Sequence, residues 1–574
     1  MNRLSLIALF AICGSASADI KAPNRASAPW WQYAVIYEIY PRSFQDSNGD
    51  GIGDLNGITR RLAYLQDLGV DAIWIAPTYP SPQVDFGYDI ADYRRIDPQY
   101  GTLADFDRLV NEARKRHIGV LVDMVLNHTS DRHPWFIEAA SSRANPKHDW
   151  YVWSDGRSGA AGKIAPPNNW QSEFGGSAWE WAGSVGQFYY HAYYKQQPDL
   201  NWRNPEVEQA MFDVMRFWLD RGVAGFRLDA ITELHEDRQL RDEPLLKGTN
   251  VLGDSNLDHI YTTNLPETHE VVRRMRAMVS SYPGDRVLIG ETYLPNTAEL
   301  DKWYGGDRHD ELQLPMDTRV GFIDKLDANT FRQRLSEVYT QVHGSQPLLV
   351  FDNHDADRSW DRYGDGVHNA RIARLIATLL LTSSDTALLY QGEEIGQRTI
   401  KPKRIEEVQD PVGKSGWPKY KGRDGERTPM QWDRSNAQAG FSANPKPWLP
   451  VPANYRTVNV QSELADPRSL LNWHKKLIAM RRSIPALRDA PVVMLDVRNA
   501  DVLSYARLTA SGEAVVVALN MSSRSRTVSL DVRSAGIKES KVVTLLANPK
   551  IKSSTRSTQG IHLAPFGVWV GSIK

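Results

Sequence analysis

Three carboxylates each stand where an apolar run ends: Asp229 in GVAGFRLDAI, Glu291 in RVLIGETY and Asp355 in PLLVFDNHD. Each run has the length and composition of a strand buried on both faces. Each turns abruptly to charge where the strand should stop. In a parallel barrel that point is the carboxyl-terminal rim, where several strands contribute the reacting groups. A single acid there is most often a helix cap or half of a surface ion pair. Three need a further reason, given Arg227 two residues before Asp229 and Asn353-His354 directly before Asp355. Carboxylates gathered in this way suit cleavage of a glycosidic bond, which needs one carboxylate and one carboxylic acid flanking the reacting carbon.

Four segments, in order, carry a resemblance: DMVLNH (Asp123 to His128), GFRLD (Gly225 to Asp229), the Glu291 segment and FDNHD (Phe351 to Asp355). They resemble the signature regions of the α-amylase superfamily, glycoside hydrolase family thirteen, and the likeness runs from about Trp30 onward. It implies an α/β fold: a (β/α)8 TIM barrel with an inserted domain B after strand 3 and a C-terminal antiparallel β domain. Retaining hydrolysis sets a nucleophile and an acid/base about 5 Å apart. Asp229 reads as the nucleophile, because Arg227 beside it favours the ionised form. Glu291 reads as the acid/base, since a partly desolvated glutamate near two carboxylates should keep its proton longer. Asp355 would grip sugar hydroxyls and favour the positively charged transition state. His128 and His354 would donate to hydroxyls of the same glucose unit.

Gln197 to Asn201, QPDLN, is similar to the signature of the oligo-1,6-glucosidase and α-glucosidase branch. That resemblance implies that Asp85 binds the terminal hydroxyls of the non-reducing glucose and that Tyr88 stacks on its ring. It also implies that Arg423 and Arg427 close the far side, which blocks chain extension and makes the enzyme exo-acting. Tyr193 stands four residues before Gln197 where many relatives carry Phe. Ala230, next to the nucleophile, should touch the aglycone, the part of the substrate beyond the cleaved bond. By the same resemblance, Val there accompanies α-1,6 preference and a small residue α-1,4.

Asp46-Ser47-Asn48-Gly49-Asp50-Gly51-Ile52-Gly53-Asp54 places oxygen donors at every second position with glycine at the turn. This is the pattern of a calcium loop, with Asp46, Asn48, Asp50, the Ile52 carbonyl and Asp54 as ligands. Gly57 stands where a bidentate Glu would close an EF-hand, so Mg²⁺ is the rival ion. The expected role is structural, and no redox or organic cofactor is implied.

The 574 residues are too many for one compact core, which agrees with a barrel plus accessory domains. A net charge of -1 with mixed signs gives no argument for nucleic acid or an anionic membrane as partner. Arg3, the apolar stretch Leu4 to Ile12 and Ala16-Ser17-Ala18 read as a secretory leader, so an exported, periplasmic or secreted protein is expected. The only cysteine, Cys13, lies in that leader, which leaves no disulfide in the mature chain. Strand-like and helix-like pieces alternate up to His128, and a long irregular stretch rich in Trp, Pro, Gly and Asn follows. The expected division is a leader over 1–18, barrel over 19–128 and 199–488, inserted domain over 129–198, and β domain over 489–574.

Two kinds of rival use these residues differently. Transglucosidases, sucrose isomerases and trehalose synthases of the superfamily pass the glucosyl unit to a sugar with the same triad. Binding or transporter-partner relatives have lost catalysis, which all three carboxylates here oppose. A trehalose-6-phosphate hydrolase is disfavoured, because export would part it from a cytosolic substrate.

Overall fold

The computed structural model describes residues 28–159, 163–342, 344–538, 541–549 and 557–573. The proposed leader and Cys13 lie outside these residues. Eight parallel strands form the central sheet: β1 (Val35–Ile39), β2 (Ala72–Ile75), β3 (Gly119–Val125), β4 (Gly225–Asp229), β5 (Val287–Gly290), β6 (Leu314–Pro315), β7 (Leu348–Val350) and β8 (Thr386–Tyr390). Their order is β6-β5-β4-β3-β2-β1-β8-β7, and a parallel bridge between Met316 and Leu348 joins the two ends into a barrel. Helices such as α1 (Leu55–Leu68), α2 (Leu103–Lys115) and α3 (Pro205–Asp220) alternate with the strands along the chain.

Strand alternation decides which residues can do chemistry. Successive side chains on a strand point to opposite faces. On β1, Val35, Tyr37 and Ile39 pack outward with the helices, while Ile36 enters the barrel core. The inner core is a plug of aliphatic residues, among them Ile36, Leu121, Val287, Ile289, Leu348 and Leu388. The same inward rows continue into polar groups at the carboxyl-terminal end: Ile36 is followed by Glu38, Leu121 by Asp123, and Ile289 by Glu291. The site is therefore the polar top layer of a packed barrel. Gly225 at the foot of β4 has φ 151°, and a Cβ there would stand 2.0 Å from the Val287 carbonyl oxygen. Only glycine lets β4 lie this close to β5.

Helix α1 begins one turn earlier than the Ile58 that apolar spacing marks. Asp54 accepts a hydrogen bond from the Gly57 amide, and this cap carries the helix back to Leu55. After β3 the chain leaves the barrel. Trp153–Ser154, Trp179–Ala182 and Gln187–Tyr190 form a small antiparallel sheet around Trp170, Trp179, Phe188 and Tyr190. At the other end, β9 (Val492–Leu495), β10 (Val502–Leu508), β11 (Ala514–Asn520), β12 (Val542–Asn548) and β13 (Val568–Ile573) form an antiparallel sheet. Its core includes Val502, Val516 and Trp569.

Candidate active site

Arg227 is the pivot of the site. Residues Asp123 and Arg227 are register partners on β3 and β4, and the guanidinium Nη1 donates to both Asp123 oxygens at 3.0 and 3.1 Å. The same nitrogen donates to Asp229 Oδ1 at 2.5 Å, and Nη2 lies 2.8 Å from Glu291 Oε2. One fixed cation thus serves three carboxylates. Trp74 supports the cluster from β2, its indole donating to Asp123 Oδ2 at 3.1 Å.

Burial pushes the Asp229 carboxyl up to about 7, and the pull of Arg227 does not offset it. The sequence reading, in which Arg227 alone holds Asp229 ionised, leaves out that loss of hydration. Burial likewise raises Glu291 to about 7 and Asp123 to about 6, each opposed by Arg227. Three carboxyl groups on one cation share protons, and their titrations belong to the cluster. Ala230 holds Glu291 in place. It adopts the left-handed conformation, φ 46° and ψ 33°, and its amide donates to Glu291 Oε2 at 3.1 Å.

The opposite wall is built from the long irregular segment after β8. Arg423 Nη2 donates to Asp85 Oδ1 at 2.8 Å, its Nη1 to Asp355 Oδ1 at 3.1 Å, and its Nε to Asp410 Oδ2 at 2.9 Å. Arg427 donates to the same Asp355 oxygen at 2.5 Å and to the His354 carbonyl at 2.8 Å. Burial pushes Asp355 up, but His354, Arg427, Arg423 and Arg227 outweigh it and hold the carboxyl well below the usual range. Since burial keeps His354 neutral, with its pKa lowered to about 3, the two arginines of this wall carry most of that effect.

The two histidines differ in hydrogen-bonding sense. Asn127 donates its amide to Asp199 Oδ2 and to the Glu233 carbonyl, so its Oδ1 must accept from His128 Nδ1 at 3.0 Å. Gln197 accepts from the Tyr194 amide through Oε1, so its Nε2 is the donor toward His128 Nε2 at 3.0 Å and Asp85 Oδ2 at 3.3 Å. With its hydrogen on Nδ1 a neutral His128 turns a lone pair toward Gln197, while Nε2 also lies 3.3 Å from the Tyr88 carbonyl oxygen, a contact that takes an N–H. His354 lies deeper, 2.7 Å from the Tyr88 hydroxyl and 3.1 Å from Asp355 Oδ2 through Nε2.

These walls enclose a cavity of about 460 Å³. Asp85, Tyr88, His128, Tyr193, Asp229, Ala230, Glu291, Asp355 and Arg423 line it. Gln197, Arg227, His354 and Arg427 stand behind that lining and position it. Tyr193 sits at the rim with Phe174, ring centroids 5.5 Å apart, and Arg423 lies over the Phe174 ring. The sequence reading passes over Glu38, Trp74, Phe174, Glu233 and Asp410. Glu38 left a signal, as the one charge in the strand VIYEI. Asp410 left none, because it reaches the site from an irregular segment.

The loop of the proposed metal ligands lies apart from this cavity, before α1. Asp46 Oδ1 accepts from the Asn48 and Gly49 amides, and its Oδ2 accepts from Gly51. Asp50 Oδ1 accepts from the Ile52 amide, and Asp54 accepts from Gly57 and Ser47. Among the described residues no three His, Cys, Asp or Glu side chains are gathered as a metal ligand set. The donors are nevertheless all oxygen in one tight loop, the chemistry a hard divalent cation takes.

The chain matches the family described as alpha amylase, catalytic domain, over residues 38–490. It is 42% identical over 535 residues to a "Probable alpha-glucosidase" of Rhizobium meliloti (strain 1021), covering 90% of this chain and 93% of that one. It is 38% identical over 528 residues to an oligo-1,6-glucosidase of Parageobacillus thermoglucosidasius, covering 86% and 91%. Among solved structures, an alpha-glucosyl transfer enzyme, XgtA, aligns with TM-score 0.85 at 38% identity, over 96% of this chain and 100% of that chain. The trehalulose synthase MutB from Pseudomonas mesoacidophila MX-45 aligns with TM-score 0.86 at 33% identity, over 96% and 100%. The chain belongs to the α-amylase catalytic-domain family, and the fold is that of its solved members.

Proposed function

We propose that this protein is an exo-acting, retaining α-glucosidase that releases glucose from the non-reducing end of short α-glucosides. One observation carries the reading: Asp229 and Glu291 share one guanidinium across from a pocket end closed by Asp85, Arg423 and Arg427. Two carboxyl groups on adjacent nitrogens of one guanidinium favour the retaining separation of about 5 Å over the ~6.5–9.5 Å of an inverting pair. Asp229, ionised, attacks the anomeric carbon while Glu291 gives its proton to the departing oxygen. Glu291 then takes a proton from water, which opens the glycosyl ester. Asp355, kept anionic by Arg423 and Arg427, faces the developing positive charge. The closed end leaves room for a terminal sugar and none for a chain continuing past it.

The family relatives named as α-glucosidase and oligo-1,6-glucosidase support hydrolysis. A glucosyl-transfer reading is favoured by the likeness to XgtA and to MutB, and it uses the same first step with a sugar in place of water. One experiment separates these readings. The protein is incubated with maltotriose, isomaltose and sucrose, and products are followed by proton NMR from the first seconds. α-Glucose from the non-reducing end is expected first, with maltose released intact from maltotriose. Initial β-glucose excludes retention, and an isomerised or lengthened sugar in place of free glucose moves the reading to transfer.

The preferred link is proposed to be α-1,4, because Ala230 is small and lines the cavity directly beside Asp229. Calcium is proposed at Asp46, Asn48, Asp50, the Ile52 carbonyl and Asp54, where it would tie the start of α1 to the Phe441-Ser442 segment. That segment already meets Asp46 through the Ser442 hydroxyl at 2.5 Å and the Phe441 carbonyl at 3.0 Å. A chelator should then lower the melting temperature, and calcium should restore it. An unchanged melting curve rejects the ion. Export is proposed on the leader-like N-terminus, and mass spectrometry of the mature N-terminus tests it. Among the described residues no helix is long and apolar enough to cross a membrane.

A further inference from the structure

Glu38 is the carboxylate of the inward polar layer that the steps above leave without a task. It follows Ile36 on the inner side of β1 and is fully buried. Its Oε1 lies 2.6 Å from His354 Nδ1, and among the described residues its Oε2 has no hydrogen-bond partner. The imidazole is held among aromatic rings, with centroids 5.4 Å from Tyr88, 5.5 Å from Tyr40 and 6.0 Å from Trp74. The ring is fixed, so its proton placement decides what it offers.

The hydrogen-bond partners settle that placement. Nε2 lies 3.1 Å from Asp355 Oδ2, an anion that can only accept. The Tyr88 hydroxyl donates to Asp123 Oδ2 at 3.2 Å and so turns a lone pair toward Nε2 at 2.7 Å. The Tyr88 contact therefore calls for a hydrogen on Nε2, and the nearby Asp355 anion favours one there electrostatically. A neutral ring then has a bare Nδ1, and its 2.6 Å contact needs a hydrogen from the carboxyl side.

We propose that Glu38 is a positioning residue: as a neutral carboxylic acid it donates to Nδ1 of His354, which keeps the ring hydrogen on Nε2, toward the Tyr88 hydroxyl and the sugar hydroxyl bound beside Asp355. The last clause rests on the glycosidase reading, whereas the proton placement does not. Electrostatics point the same way. Burial raises Glu38 well above the carboxylate range, and Asp355 and Asp123 add to this against the pull of Arg227 and of the His354 backbone amide. Burial lowers His354 to about 3, with Arg427, Arg227 and Arg423 opposing a second charge and Asp355 favouring it. The shared hydrogen thus rests on the carboxyl oxygen. The site also gains an alternative to ionisation, since a charged Glu38 would leave Oε2 as a buried anion without a donor.

Neutron diffraction of the wild-type protein at neutral pD reads the proton directly. Deuterium is expected on Glu38 Oε1 and on His354 Nε2. Deuterium on Nδ1, whatever the state of Nε2, overturns the proposal. Kinetics supply a second reading through Glu38→Leu and Glu38→Gln. Leucine removes the donor and should lower kcat/KM on an aryl α-glucoside by roughly 10 to 100-fold, the scale seen when the partner that orients a metal-bound histidine is lost. Glutamine keeps an N–H donor at the same place and should recover most of that loss. An equal loss in both variants shows that a donor is not what matters, and it rejects the role. A wild-type protein that cleaves no α-glucoside rejects the functional reading instead, and the neutron map still decides where the proton lies.

Discussion

The two ends of the pocket are built from the same kinds of side chain and charged in opposite ways. At the catalytic end one cation, Arg227, meets Asp123, Asp229 and Glu291. At the closed end two cations, Arg423 and Arg427, serve Asp85, Asp355 and Asp410. Burial raises every carboxyl at the first end, to about 6 or 7. At the second it is outweighed by the arginines at Asp355 and Asp410, which are lowered, and only Asp85 stays raised. The ratio of cations to carboxylates, more than the residue type, decides which end exchanges protons and which end holds a fixed charge. A general acid needs the first arrangement, and stabilising an oxocarbenium-like centre needs the second.

The largest effect that can test this contrast is loss of the nucleophile. Asp229→Asn should lower turnover of an aryl α-glucoside by more than the ~10²–10⁴-fold typical of losing acid–base catalysis, which is the range expected for Glu291→Gln. Near wild-type turnover in purified Asp229→Asn would falsify the assignment. The same substitution should raise the melting temperature above neutral pH. The native state at this end holds protons that the unfolded chain releases near pH 4, so stability falls as pH rises from about 4 to about 7. Removing one carboxylate relieves that cost. A lower melting temperature at pH 8 would show that the catalytic end is not electrostatically loaded.

Arg423→Ala should do the reverse and lose both stability and binding. It leaves Asp85 and Asp410 buried without their main cation, a change that costs about 3–5 kcal/mol for a buried pair. Acid should weaken this end in the wild type as well. The depressed carboxyls of Asp355 and Asp410 stabilise the fold above the ordinary carboxylate range and lose that contribution as pH falls below it. Urea unfolding of the wild type and of Arg423→Ala from pH 3 to 8 measures both. An unchanged midpoint in Arg423→Ala would remove the closed end as a structural element.

A smaller effect is expected in the pH profile. Asp123 raises the pKa of Asp229, so Asp123→Asn should shift the acid limb of kcat/KM to lower pH. A shift to higher pH would mean that the released guanidinium matters more than the lost charge. Smallest is the effect of Ala230→Val on linkage, because one or two methyl groups alter discrimination by only about 1–3 kcal/mol. Wild type should cleave maltose better than isomaltose, and the variant should move toward isomaltose. The branched side chain must also take φ 46°, so a modest loss of stability should accompany the shift. A wild-type preference for isomaltose would return the protein to the oligo-1,6-glucosidase type.

Much of the barrel was legible because a strand buried on both faces writes a continuous apolar run, as in AIWI or VLIG. The ends of those runs pointed to Asp229, Glu291 and Asp355 without any knowledge of pairing. Apolar spacing alone marks the start of α1 a turn late, at Ile58, because the cap is a polar residue outside that periodicity. Asp410 was invisible, since nothing local in a proline- and glycine-rich segment records which side chain a distant arginine will meet. The surroundings of His128 were invisible for the same reason: its Nδ1 meets Asn127, whose own orientation depends on Asp199 and Glu233 from other parts of the chain.

Sequence alone determined the strand runs, the inward row on each strand and the kind of residue that caps it. Those are consequences of a two-residue period and of hydrophobic burial, both local properties. Tertiary structure decided the charge states. Pairing β4 with β3 on one side and β5 on the other brought carboxylates from all three strands to one guanidinium, and the segment after β8 brought two more cations to Asp355. A pKa in a buried site depends on which charges stand within a few ångströms and on how much water is excluded. Neither quantity exists until the chain has folded.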